Sequence, residues 1–274
     1  DERAEAEHFL KRAILSDKWR NEALAKLIDL FRRTERYSEL VIYTRERLDQ
    51  LLTEETPAST LEVFVEAMGK VGREAEVFSP LLSWALRHPS WDLDELLLAT
   101  AQGRDAKTQV VRHLESRFSE NDIGTHRGML SAGELYEFEF KNEALAVKTY
   151  QAVLDANPSN LDALEKLESL LGRRSQWRRL GGVYLELANQ LEARGERRRA
   201  MFLAKQTVEL AQHALRKHDL GLQAAKYLLR FSTLDEADAR LAYSVIQASD
   251  DLNEERQGLV LLARGGFASK ADYE

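Results

Sequence analysis

Eight apolar positions recur in register across this chain. Leu24, Leu27, Leu30, Phe31, Tyr37, Leu40, Tyr43 and Leu51 reappear as Leu164, Leu167, Leu170, Leu171, Trp177, Leu180, Val183 and Leu191, each 140 positions later. Unrelated segments seldom share that many apolar positions without a gap, so the chain repeats itself. An offset of 140 residues is four periods of about 35, the length of a two-helix unit in a repeat array. Within each copy the apolar residues fall three and four apart, which places them on one stripe of a helix. A single pair of such helices cannot bury its apolar face alone, so stacked neighbours must shield it.

Composition agrees with helices. The 274 residues include only 4 prolines and 14 glycines, so few positions interrupt a helix. β-branched residues are sparse and Ala, Leu, Glu and Arg dominate, which argues against a sheet. Apolar residues make up 44% of the chain and charged ones 31%, enough for a core beneath a wide polar surface. The expected fold is all-α: a right-handed solenoid of antiparallel helix pairs, about seven pairs after an N-terminal half repeat, forming one superhelical array over 1–274.

The net charge of −7 makes nucleic acid an improbable partner for the chain as a whole. Cysteine is absent, so disulfides and thiolate metal sites are excluded. No apolar run is long enough to span a membrane. The first ten residues are charged and amphipathic and do not read as a signal peptide. The cytoplasm is the expected compartment. The start at Asp1, and a first helix (3–15) whose Ala6, Leu10 and Ala13 match the spacing of a second helix, suggest that further repeats precede it in a longer protein.

Complete pairs are expected at 21–34/38–51, 57–70/73–88, 92–101/104–118, 124–139/142–156, 160–172/176–193, 196–216/219–231 and 235–248/252–265. Pro57 suits a first helical turn. Pro80 falls inside an expected helix and should kink or divide it. Asp92 or Asp94 is the expected cap of the helix that follows. The polar, glycine-bearing stretch 119–128 is the expected hinge. The last pair carries Leu241, Val245, Ile246, Leu259, Val260 and Leu262 as its apolar face, and Leu215 belongs to that of the pair before it.

One stretch, 129–158, carries a family pattern. Met129, Ala132, Gly133 and Tyr136 are followed by Ala146, Tyr150, Val153 and Pro158, with one residue too many between the two sets. In this it resembles the tetratricopeptide repeat (TPR), in the style of long bacterial scaffolds, and 21–51 and 161–191 resemble degenerate copies. The resemblance implies a right-handed superhelix whose concave groove is lined by polar positions of each first helix. Carried onto this sequence, those positions are Glu22, Asp29, Arg32 and Arg33, then Glu134, Glu137 and Phe138, then Asp162, Glu165, Ser169 and Arg173.

Sites of chemistry are not evident. The six histidines make no HExxH pair, and His213 and His218 are five apart, so no metal site is expected. A phosphate-loop motif and a nucleophile elbow are both missing. Acidic pairs such as Glu54-Glu55, Asp250-Asp251 and Glu254-Glu255 stand beside expected helix starts, where the helix dipole favours them. No cofactor and no catalytic residue are expected. One charge feature stands out: Arg173, Arg174, Arg178, Arg179, Arg194, Arg197, Arg198 and Arg199 crowd a short region, with Trp177 and Tyr184 between them. They are a candidate basic patch for an acidic peptide or a phosphate-bearing ligand, or else a solvated surface neutralised by neighbouring carboxylates. The leading functional expectation is a non-enzymatic scaffold that binds a partner protein or peptide in its groove or on this patch. The alternative is a regulatory sensor that binds a peptide or a small GTPase and controls further domains.

Overall fold

A computed structural model describes residues 2–16, 18–51, 58–119, 121–214, 219–231, 233–249 and 251–267, with backbone alone at 2, 3, 47–51, 58, 59 and 123. Every regular element among the described residues is helical, as the composition requires. They are α1 (Glu2–Ala13), α2 (Arg20–Arg33), α3 (Tyr37–Leu51), α4 (Ala58–Lys70), α5 (Phe78–Arg87), α6 (Trp91–Thr100), α7 (Gly103–Arg117) and α8 (Ile123–Glu134). Then follow α9 (Glu143–Ala156), α10 (Leu161–Arg173), α11 (Trp177–Ala193), α12 (Arg197–His213), α13 (Asp219–Leu229), α14 (Glu236–Gln247) and α15 (Leu252–Arg264). Most bounds fall within two residues of those expected. Glu54, Glu55, Pro57, Leu215, His218 and Asp250 lie outside the described residues, and so do the side chains of Leu48 and Leu51. The chain gathers into two compact units, Asp1–Lys141 and Asn142–Glu274, divided between the helices of the fourth expected pair.

In the first unit α2 packs on α1 and α3, α3 on α4, and further along α4 meets α6, α5 meets α7 and α6 meets α8. The core holds Leu27, Phe31, Leu40, Phe64, Leu81, Trp84, Leu97 and Leu114, all nearly inaccessible. Trp84 stands edge-on to Phe64 at 5.5 Å and 73°, a favourable aromatic geometry. Pro80 divides its segment as expected. A 3₁₀ turn at Glu74–Glu76 precedes α5, and Pro80 becomes the third residue of that helix. In the first turn its missing N–H breaks no helical bond.

One local expectation is corrected. Asp92 and Asp94 do not cap α6; Ser90 does, its Oγ accepting from the Leu93 N–H at 3.3 Å, and Asp94 turns inward. The helix begins early enough for Ser90 to precede its first residue, which carries the carboxylates past the capping position. Within 119–128, α8 begins at Ile123, one residue before the expected start. Asp122 caps α8 by accepting from the Gly124 N–H at 2.9 Å, and the Ser119 N–H donates to Thr125 Oγ1 at 3.0 Å. A Cβ at Gly128 would stand 3.1 Å from Leu114, so this glycine permits close approach of α8 to α7. Polar caps and a close helix contact account for a composition that reads as a linker.

The extra residue in the repeat-like stretch has a structural counterpart. A π-helical turn occupies Leu135–Glu139, and the Phe140 N–H donates to the Leu135 carbonyl at 2.9 Å. A π turn absorbs one inserted residue without ending the helix.

In the second unit each helix from α9 to α15 packs on the next, and α11 also meets α13, α12 meets α14 and α13 meets α15. Tyr150, Val153, Leu154, Leu167, Val208, Leu228 and Ile246 are buried in it. Val260 is 51% exposed and does not belong to the apolar face of α15 expected for it. Leu262 fills that role at full burial, because it lies two positions further round the helix.

The turns recur with the core. At five helix ends among the described residues, a residue with positive φ is followed by an N–H that reaches the carbonyl five residues back. The pairs are Arg36 to Phe31, Arg73 to Met68, Gln176 to Leu171, Glu196 to Leu191 and Phe267 to Leu262, at 2.9–3.0 Å. This six-to-one bond satisfies a carbonyl at the helix end and reverses the chain. Glu35 (φ 56°) and Ser175 (φ 52°) occupy the positive-φ site 140 residues apart, so the register seen in the apolar positions extends to the backbone.

Candidate partner-binding surface

The polar first-helix positions are mostly exposed. On α2, Glu22 pairs with Lys26 at 2.6 Å, Asp29 with Arg33 at 2.8 Å, and Arg32 with Glu66 of α4 at 2.8 Å. On α10, Asp162, Glu165, Ser169 and Arg173 are exposed, and Arg173 Nε donates to the Ser169 carbonyl at 3.2 Å. Glu134, Glu137 and Phe138 behave differently, because the π turn rotates the end of this helix. Glu137 is buried, Glu134 is half-buried and Phe138 is 53% exposed.

The eight arginines crowded in sequence do not form one patch. α11 has 17 residues, about 25 Å at ~1.5 Å per residue, and it runs between them. Arg173, Arg174, Arg178 and Arg179 flank its first turn; Arg194, Arg197, Arg198 and Arg199 follow its last. Four of the eight are engaged. Arg174 pairs with Glu143, Arg173 bonds the Ser169 carbonyl, Arg194 donates to the Ala156 carbonyl at 3.4 Å, and Arg199 pairs with Glu196 at 2.8 Å. Glu196 also accepts from Ser159 Oγ at 3.0 Å; that bond, then the Arg199 guanidinium, holds its carboxyl below the usual range.

Arg178, Arg179, Arg197 and Arg198 are exposed and make no ion pair among the described residues. Each stands in the first turn of a helix with no acid in that turn. A cation there faces the positive end of the helix dipole, which costs about 0.3–1 kcal/mol per charge at an exposed site. The fold itself gains nothing from these charges.

Neither interleaved aromatic is a stacking platform. Tyr184 is buried, and its hydroxyl donates to Glu168 Oε1 at 2.8 Å; burial first, then this bond, raises its pKa. Trp177 is half-buried with its ring over Gly172, 3.6 Å from where a Cβ would stand.

Residues distant in sequence converge on a cleft of about 630 Å³ along α11. Arg178, Arg179, Val183 and Glu186 border it on α11, Gln151 on α9 and Leu220 on α13. Arg179, Gly182, Val183 and Glu186 follow the three-and-four spacing of one helix face. Sequence reasoning singled out the arginines but missed the cleft, because Gln151, α11 and Leu220 come to one place only through the tertiary fold. The cleft lies on second helices, away from the expected first-helix groove.

Other polar clusters serve the fold. Asp94, buried, accepts from His113 Nε2–H at 2.9 Å, and it pairs with Arg117. His113 thus joins α7 to α6, and His126 of α8 is buried with both ring nitrogens unpartnered and its ring 5.6 Å from Phe118. Glu7 accepts from Arg36 at 2.5 Å and pairs with Lys11 at 2.5 Å; these bonds, Arg36 first, hold its carboxyl down to about 2. Burial, then a bond to Glu115 at 2.8 Å, pushes the Tyr136 hydroxyl up to about 12. Glu7, Tyr136 and Tyr184 belong to different helix pairs and do not share a pocket.

No family model matches the chain, and no curated protein does. Among solved structures the chain is similar to the "Crystal structure of BtubC (BKLC) from P. vanneervenii", at 14% identity over 97% of this chain and 88% of that one, with a TM-score of 0.22. So loose a superposition carries no argument about fold or function.

Proposed function

We propose that the chain is a non-enzymatic protein–protein interaction scaffold, a right-handed solenoid of TPR-like helix pairs that docks a partner protein or peptide on its polar face. The observation that carries this reading is the pairing of a repeated frame with an unrepeated surface. The same turn and the same buried stripe occur 140 residues apart, at Glu35 and Ser175 and at Leu27 and Leu167, while the exposed residues between them differ. Helices that pack on the next and the next but one, as in α11–α13 and α12–α14, are the arrangement a stacked array needs. Such an array displays a broad, shallow surface suited to another polypeptide.

The test is quantitative capture from native lysate with three baits. One is the unaltered chain, one reverses Arg173, Arg174, Arg178 and Arg179 to Glu, and one carries Asp162→Arg, Glu165→Arg and Ser169→Arg. A partner held in near-stoichiometric amount by the first bait and lost by at least one of the others supports the scaffold. The same proteins recovered in the same amounts by all three baits sink it.

A further inference from the structure

We infer that the α9–α11–α13 cleft holds an extended peptide segment with an acidic end at Arg178 and Arg179 and a basic residue at Glu186. The inference rests on the scaffold reading and specifies its partner. Two guanidinium groups without carboxylate partners border one end of the cleft, beside a helix N-terminus that adds positive potential. The carboxylate of Glu186 borders the same cleft further along α11. Between them the wall is Gly182 and Val183, with Leu220 opposite and the Gln151 amide available to a peptide backbone.

Charge complementarity selects the occupant. A polyanion such as RNA, or a bare phosphate, satisfies the arginines but meets Glu186 and a chain of net charge −7. A peptide with opposite charges at its two ends satisfies both. Arg179 and Glu186 are about 10 Å apart along the axis at ~1.5 Å per residue. An extended peptide covers that span in about three residues at ~3.4 Å each. The recognised segment thus carries an acidic pair and a Lys or Arg three or four positions away.

The arginines act against the stability of their own helix, and this separates a binding role from a structural one. Replacing both by Glu places acids in the first turn of α11, where they favour the dipole. The variant should melt at or above the temperature of the unaltered chain while losing the peptide. Arg178→Gln with Arg179→Gln serves as a second variant without charge reversal.

The experiment is fluorescence anisotropy with labelled synthetic peptides of about seven residues, enough to cover the cleft. The probe has an Asp-Asp pair followed after a short spacer by Lys, and it is made in both chain directions. Controls replace the Asp pair by Asn or the Lys by Glu; an oligouridylate and inorganic phosphate are the other arms. One direction of the probe should bind, and its Asn version should bind about tenfold or more weakly, the loss expected for a lost charge-assisted contact. Both arginine variants should lose the probe to a similar extent. Glu186→Lys should shift preference to the peptide with Glu in place of Lys. Equal binding of the Asn peptide, unchanged binding by the arginine variants, tighter binding of oligouridylate, or displacement of the probe by phosphate alone would each overturn the inference. A chain that captures its lysate partner through α10 yet binds none of these peptides overturns the inference and leaves the scaffold reading standing.

Discussion

The helix pairs α2/α3 and α10/α11 are one hairpin built twice with opposite surfaces. Leu27 and Leu167 are both fully buried, Phe31 and Leu171 nearly so, and the Arg36 and Gln176 N–H groups make the same six-to-one bond. The first turn of the second helix is where they part. In α3 its third residue is Glu39, which favours the dipole and accepts from Arg36 at 2.6 Å. In α11 that residue is Arg179, exposed, with no ion pair among the described residues. Around the α2/α3 turn three arginines are tied down: Arg32 to Glu66, Arg33 to Asp29 and Arg36 to Glu7. The frame does not require an arginine at the start of α11. What distinguishes the two hairpins is therefore the surface each presents, and the exposed charge is the part open to a partner.

The comparison breaks most readily in the core. Leu27→Ala and Leu167→Ala should each cost about 2–5 kcal/mol, because both side chains are inaccessible and leave a cavity. Chemical denaturation of the two variants checks this, and a marked loss at one site with little at the other would show that the two are not equivalent.

Acid should separate the hairpins next. The folded Glu7 carboxyl sits at about 2 against an ordinary 4.5, so its contribution is complete above 4.5 and lost as pH falls towards 2. Gln176 stands where Arg36 does and makes no such pair. Urea midpoints at neutral and acidic pH should converge for Glu7→Gln and the unaltered chain below that window. The effect is moderate, because Arg36 is 38% exposed and solvent screens the pair.

The turns give a smaller effect. Glu35→Gly and Ser175→Gly should each raise stability by about 0.5–1 kcal/mol, since a side chain at positive φ carries strain that glycine lacks. Gly195→Ser should lower it, because that glycine already holds the same turn at φ 83°. Thermal melts of the three variants measure this, and a destabilising Ser175→Gly would refute the shared turn geometry. Smallest of all is the dipole exchange. Arg179→Glu should stabilise by about 0.3–1 kcal/mol, and Glu39→Arg should destabilise by at least as much. Equal melting temperatures for Arg179→Glu and the unaltered chain in low salt would leave the cost of that arginine unproven.

The helices were legible in the sequence because their signals are local. Apolar spacing of three and four acts within a turn or two of backbone, and the 140-residue register is that local pattern written twice. The extra residue in 129–158 was visible as well, and a π turn accounts for it. Where local signals compete, reading them failed: Ser90 took the cap expected of Asp92 or Asp94.

The surface was legible only as composition. Arginines adjacent in the chain fell at opposite ends of α11, because a helix carries each successive turn about 5.4 Å further along its axis. Glu137 was expected in a groove and is buried, and Asp94 was expected at a helix start and lies against His113. The sequence by itself determined that this chain is a series of helices with a repeating apolar stripe, since a period needs no knowledge of what lies across the core. Only the tertiary structure decided which charges are neutralised, which stand free, and that residues of α9, α11 and α13 border a common open cleft. Those outcomes depend on distances between helices, and residue spacing along one helix does not contain them.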